Sequence, residues 1–157
     1  MNKTHPIRSK LPQVGTTIFT TMSGLAHKHG AINLSQGFPG FSISEALISL
    51  VNKYMLQGKN QYAPMAGVQE LREEISALQR DFYAANYNPD SEITITAGAT
   101  QGIYTTISAL VHPGDEVIMF SPAYDCYSPA VEVNGGKSVF VELNSQDYAI
   151  PWEEVKQ

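Results

Sequence analysis

Apolar and polar positions run at helical spacing through the first part of the chain and switch to alternating short strands and helices after Glu92. Ser42 followed three residues later by Glu45 has the form of a capping box. Ile43, Leu47, Leu50, Val51 and Tyr54 then mark one face of a helix ending near Gly58. A second helix starts near Gly67 with the face Val68, Leu71, Ile75, Leu78 and Phe82, and stops before Asn88-Pro89. Glu70, Arg72, Glu73 and Glu74 read as its exposed side. Beyond Glu92 the pattern predicts strand 92–96, helix 100–111, a break at His112-Pro113-Gly114-Asp115, strand 116–120, helix 124–133 and, after Gly135-Gly136, strand 138–143.

Strands separated by helices, with flat apolar runs such as "VIMF", indicate βαβ units and a parallel sheet covered on both faces, an α/β fold. Residues 1–41 are rich in Pro and Gly and read as an irregular arm with one short helix around Thr20 to His29, set against 42–157 as the main body. The closing "IPWEEVKQ" has the form of another helix's first turn. Three strands do not complete a doubly covered sheet, so the expectation is the front portion of a longer protein.

The switch from strand to helix period falls on Ala97-Gly98-Ala99-Thr100, within "ITITAGATQGIY". Amide N–H groups at a helix start have no intrahelical partners, and small side chains beside them let another molecule approach. An anion suits that turn. The turn lacks GxxxxGK[ST] and GxGxxG, which disfavours ATP and NAD. Tyr124, just after the next strand, can stack on a flat heterocycle whose phosphate the turn holds. A phosphorylated aromatic ring is implied, and pyridoxal phosphate fits better than a nucleotide.

Totals narrow the classes further. With 157 residues and 43% hydrophobic content the chain can build one core, and a charge of −5 without a Lys/Arg run removes the footprint of nucleic-acid or acidic-membrane binding. No apolar run reaches the ~20 residues of a membrane span, and the polar N-terminus does not resemble a signal peptide, so a cytoplasmic protein is expected. Cys126 cannot form an internal disulfide and has no nearby base to activate it. His27 and His29, two apart without an acidic or Cys companion, do not make a metal site.

"INLSQGFPGF", "NQYAPMAGVQELREEI", "ITITAGATQGIY" and "GDEVIMFSPAYDCYSPAVEVNGG" together resemble the N-terminal part of class I/II pyridoxal-phosphate-dependent aminotransferases of fold type I. The nearest likeness is to the branch with methionine and kynurenine or glutamine aminotransferases, and it extends from about Leu11 onward. The resemblance implies an N-terminal arm with a small-domain segment over 1–41 and the first part of the large cofactor-binding domain over 42–157. It makes Gly98, Ala99 and Thr100 the phosphate-binding turn, extended by Gln101, and Tyr124 the ring-stacking aromatic. Tyr62 matches a tyrosine that reaches across a homodimer interface to the partner's cofactor phosphate. Gly37 matches a glycine whose backbone nears the substrate carboxylate, and Phe19 an aromatic lining the substrate pocket. Gly40 departs from the acidic residue common after "GFP" in relatives.

The implied reaction transfers the amino group of an α-amino acid, with a methionine, aromatic or glutamine-like side chain, to a 2-oxo acid. The resemblance puts the Schiff-base lysine beyond Gln157, so no catalytic residue is assigned. Two alternatives stand beside this: a cysteine-conjugate C–S lyase on the same cofactor, and a non-catalytic cofactor-binding module.

Overall fold

The computed structural model describes residues 8–37 and 39–157. The chain divides into two compact units, one comprising residues up to Ser35 together with Ala97–Gln157, the other Gln36–Thr96.

The first unit opens with α1 (Ile18–His29). Thr17 caps its start by accepting the Thr20 amide, and Gly30 closes it in a left-handed conformation at φ 58°. After the second crossing between units come α4 (Ala99–Leu110), β1 (Glu116–Ser121), α5 (Tyr127–Val133), β2 (Lys137–Glu142) and the short α6 (Trp152–Val155). β1 and β2 pair in parallel with Met119 opposite Phe140 and Phe120 opposite Val141, and α5 is their crossover. This is the βαβ unit that the flat apolar runs predict.

Opposed residues of a parallel pair share a face, so the buried Met119 and Val141 lie on opposite sides of the ribbon. On one side Ser128 of α5 meets Ser138 at 2.9 Å. On the other, Trp152 of α6 meets Phe120 edge-on at 6.4 Å. Both faces are thus covered, at least in part. Ala130 and Val131 complete the small core, Val131 being fully buried.

At the far end of the sheet the two turns interlock. Gly114 N–H donates to the Gly135 carbonyl at 2.8 Å, and Lys137 N–H to the Asp115 carbonyl at 2.7 Å. A Cβ on Gly136 would stand 2.7 Å from Val111 and 2.8 Å from Val131, so packing there requires glycine.

The second unit holds α2 (Glu45–Leu56) and α3 (Gln69–Tyr83). Three expectations need correction here. The residue before α2 is Ser44, with no side-chain cap, so Glu45 is the first helical residue and Ser42 lies out of register for a capping box. Residues 92–96 form no strand: Ile95 N–H donates instead to the Ala66 carbonyl at 2.9 Å, and among the described residues the sheet is the β1–β2 pair. Alternation supplies two faces, but a strand also needs a paired neighbour.

Arg72 reverses its expected exposure. It is 9% exposed and donates to the Pro89 carbonyl at 2.6 Å and to the Gln69 side chain, while Val68, Leu71, Leu78 and Phe82 stay exposed. Gln69 in turn donates to Asp90 at 2.8 Å, so α3 is clasped to the 88–90 loop by its polar side. A three-residue delay at α5 has a local cause: the Tyr127 amide donates to the Tyr124 carbonyl, a turn that leaves Tyr124 outside the helix.

Candidate functional site

The turn into α4 has the features of an anion cup. Gly98 adopts φ 86°, ψ 165°, a region open in practice only to glycine. Nothing lies within 4 Å of where its Cβ would stand, so backbone conformation, rather than crowding, is what demands glycine here. Ala99, Thr100 and Gln101 form the first turn of α4 and are exposed. Their amides have no carbonyl one turn back, and the helix dipole adds positive partial charge at this end. The Gln101 side chain folds back over the turn, its Oε1 accepting the Ala97 amide at 2.5 Å.

Tyr124 sits in the loop between β1 and α5, at the carboxyl end of the strand, and is half-exposed. Its ring lies 6.2 Å from Phe19 of α1, tilted by 36°, and 6.0 Å from Tyr127, which meets it edge-on. Phe19 and Tyr124 are therefore brought together, which sequence spacing could not show. An apolar groove lined by Val117, Met119, Tyr124 and Tyr127 also takes in Ile107 of α4. A second recess joins Leu11 of the arm, Thr100 of the glycine turn, Cys126 just before α5 and Pro129 within it. The glycine turn and the tyrosine loop thus flank a common helix pair, α4 against α5.

Gly37 and Tyr62 belong to the other unit. Gly37 is exposed, with open space at its Cβ position, and Tyr62 is fully exposed. Among the described residues no group of His, Cys, Asp and Glu is placed to hold a metal ion, and no helix is long and apolar enough to cross a membrane.

Sequence reasoning missed a polar cluster just before Gly37. Asn33 donates from Nδ2 to Ser23 Oγ at 2.9 Å and accepts at Oδ1 from the Ser35 amide at 3.0 Å and hydroxyl at 2.6 Å. It ties the segment leading to the glycine loop onto α1. The Asn-x-Ser spacing of an Asx turn was its only local signal.

The sequence pattern of the family "Aminotransferase class I and II" matches residues 29–157. The chain belongs to that family. It is 50% identical over 147 residues to the methionine aminotransferase of Escherichia coli K12, covering 94% of this chain and 38% of that protein. It is 33% identical to kynurenine–oxoglutarate transaminase 3 of Rattus norvegicus, covering 82% of this chain and 29% of that one. A solved Escherichia coli structure, described as identifying a methionine aminotransferase function, superposes with a TM-score of 0.90 at 49% identity, over 96% of this chain and 40% of that chain. The N-succinyldiaminopimelate aminotransferase of Mycobacterium tuberculosis superposes at 0.82 with 38% identity, over 90% and 37%. The architecture is thus part of the fold type I large domain, and the chain spans under two fifths of the length of these curated relatives.

Proposed function

We propose that this aminotransferase-family chain anchors pyridoxal phosphate in an enzyme that moves the amino group of a methionine-like, aromatic or glutamine-like α-amino acid to a 2-oxo acid. The observation that carries the reading is the glycine-only start of α4, flanking the same helix pair as the half-exposed Tyr124. The amides of Ala99 and Thr100 suit a phosphate, which needs donors and positive potential but no side-chain cation. Tyr124 offers a ring face, with Phe19 and Tyr127 limiting its tilt. When bound, pyridoxal phosphate supplies an electron sink for bond changes at the substrate's α-carbon. This chain's residues hold and orient: the glycine turn fixes the phosphate end, Tyr124 the ring plane, and Phe19 borders the space where a side chain enters.

The methionine, aromatic and glutamine-like preference rests on the likeness to methionine and kynurenine transaminases. In this reading residues 1–41 are the arm with a small-domain segment and 42–157 the first part of the large domain, and the Gly37 loop faces the substrate carboxylate. Tyr62, fully exposed, reaches a partner's cofactor phosphate across a homodimer interface in the cytoplasm.

The test uses protein from the complete gene, incubated with pyridoxal phosphate, methionine and 2-oxoglutarate, then with kynurenine and glutamine as donors. Glutamate from methionine or kynurenine, or the keto acid of glutamine with a second acceptor, supports the proposal. Release of ammonia without transfer would replace it with lyase chemistry.

A further inference from the structure

Resting on the reading above, we infer that Gln101 is a positioning residue of the phosphate turn, acting through the backbone of Ala97 instead of touching the cofactor with its own side chain. Gln101 is the third residue of α4, and from that place a Gln side chain can return to the amides that precede the helix. Here Oε1 accepts the Ala97 N–H at 2.5 Å.

The bond has two effects on the turn. It occupies the amide just before Gly98, so that donor no longer competes for an anion, and it spans Gly98 from one side to the other. Gly98 is the most permissive residue type, and a Cβ built on it would meet nothing within 4 Å, so side-chain crowding does not select its φ and ψ. The first helical bond across it, from Gly102 N–H to the Gly98 carbonyl, is long at 3.4 Å. The Gln101 clasp adds a second bond across the same residue. Its consequence is directional: with Ala97 held, the amides of Ala99 and Thr100 stay aimed at one point.

A neutral amide suits the task. A carboxylate at 101 would accept the same N–H but bring a negative charge to the end of the helix meant for an anion.

The experiment measures binding of pyridoxal phosphate and of pyridoxal, which lacks the phosphate, to the complete-gene protein and to Gln101→Met, a side chain of similar length without an oxygen acceptor. Loss of the clasp should weaken pyridoxal phosphate about tenfold, the scale of one hydrogen bond, while pyridoxal affinity stays unchanged. Gln101→Glu should also favour pyridoxal relative to the phosphorylated cofactor, and more so than Gln101→Met. Unchanged affinity for pyridoxal phosphate in Gln101→Met would overturn the inference. Equal losses for both compounds would overturn it too, because they mean a general structural role. If the unaltered protein binds both compounds alike, the phosphate-turn reading itself falls, and the inference with it.

Discussion

Gly98 decides the geometry of the candidate site, and its φ of 86° with ψ of 165° makes it hard to replace. Alanine is sterically free there, since no atom approaches, yet the backbone region costs an L-residue about 1–3 kcal/mol. Gly98→Ala is therefore expected to relax the turn and release pyridoxal phosphate readily, with little change in the packing of α4. Cofactor titration beside a urea melt checks this; tight cofactor binding in the variant would remove the turn from the site. Tyr124→Ala should weaken cofactor retention by about 0.5–1.5 kcal/mol beyond the lost contact area, and Tyr124→Phe should restore it, because the ring face and not the hydroxyl is used. Gly98 was legible in the sequence because the period of apolar residues changes on it. The contact of Tyr124 with Phe19 was not, since it spans more than a hundred residues of chain.

Arg72 shows the limit of face patterns at the same scale. Its neighbours Glu70, Glu73 and Glu74 are exposed as expected, but a long side chain can fold back along its helix, and this one reaches Pro89. Arg72→Met should destabilise the second unit by about 1 kcal/mol, by removing the donors to two half-buried acceptors, the Pro89 carbonyl and the Gln69 side chain. Arg72→Lys should not restore it, because one ammonium cannot reproduce two guanidinium nitrogens directed at separate acceptors. Denaturant unfolding followed by helical circular dichroism is the measurement, and full recovery in the lysine variant would contradict the geometry.

At the scale of elements, punctuation read well where glycine marks it, whereas the equally local Ser42–Glu45 capping box fell out of register. The glycine turn before α4 and the Gly135-Gly136 break before β2 are both punctuation that a short window of sequence contains. Residues 92–96 failed for the opposite reason. Their alternation is real, but pairing is decided by distant chain, and here Ile95 is taken by the loop before α3. That contact has a consequence of its own. Gly67 lies at φ 96°, and a Cβ there would come within 2.3 Å of Ile95. Gly67→Ala thus combines backbone strain with overpacking and should cost well over 1 kcal/mol, more than either alone. Gly24→Ala, inside α1 with open space and no positive φ, should instead stabilise by about 0.4–1 kcal/mol. Opposite signs from two Gly→Ala changes, read from thermal midpoints, would separate site geometry from glycine content.

For the molecule as a whole, the decisive fact is how little of its apolar content is covered. The chain is 43% hydrophobic, yet the buried apolar residues among those described are Met119, Ala130, Val131 and Val141. Leu34, Leu56 and Met65 are all more than 80% exposed. A parallel sheet needs cover on both faces, and two strands with one crossover helix and a single Trp152 cover only a strip. Exposed apolar area of this extent is costly in water, at about 25 cal/mol per Å², so the surfaces around the candidate site favour being covered. The 157-residue polypeptide produced by itself should therefore bind a hydrophobic dye strongly and grow in apparent mass with concentration. It should hold pyridoxal phosphate far more weakly than protein from the complete gene, because the glycine turn and Tyr124 are positioned by elements that are themselves half-covered. Dye fluorescence, light scattering and cofactor titration on the two proteins give the comparison. A monomeric, dye-free 157-residue chain with equal cofactor affinity would mean that the small core around Val131 suffices to organise the site.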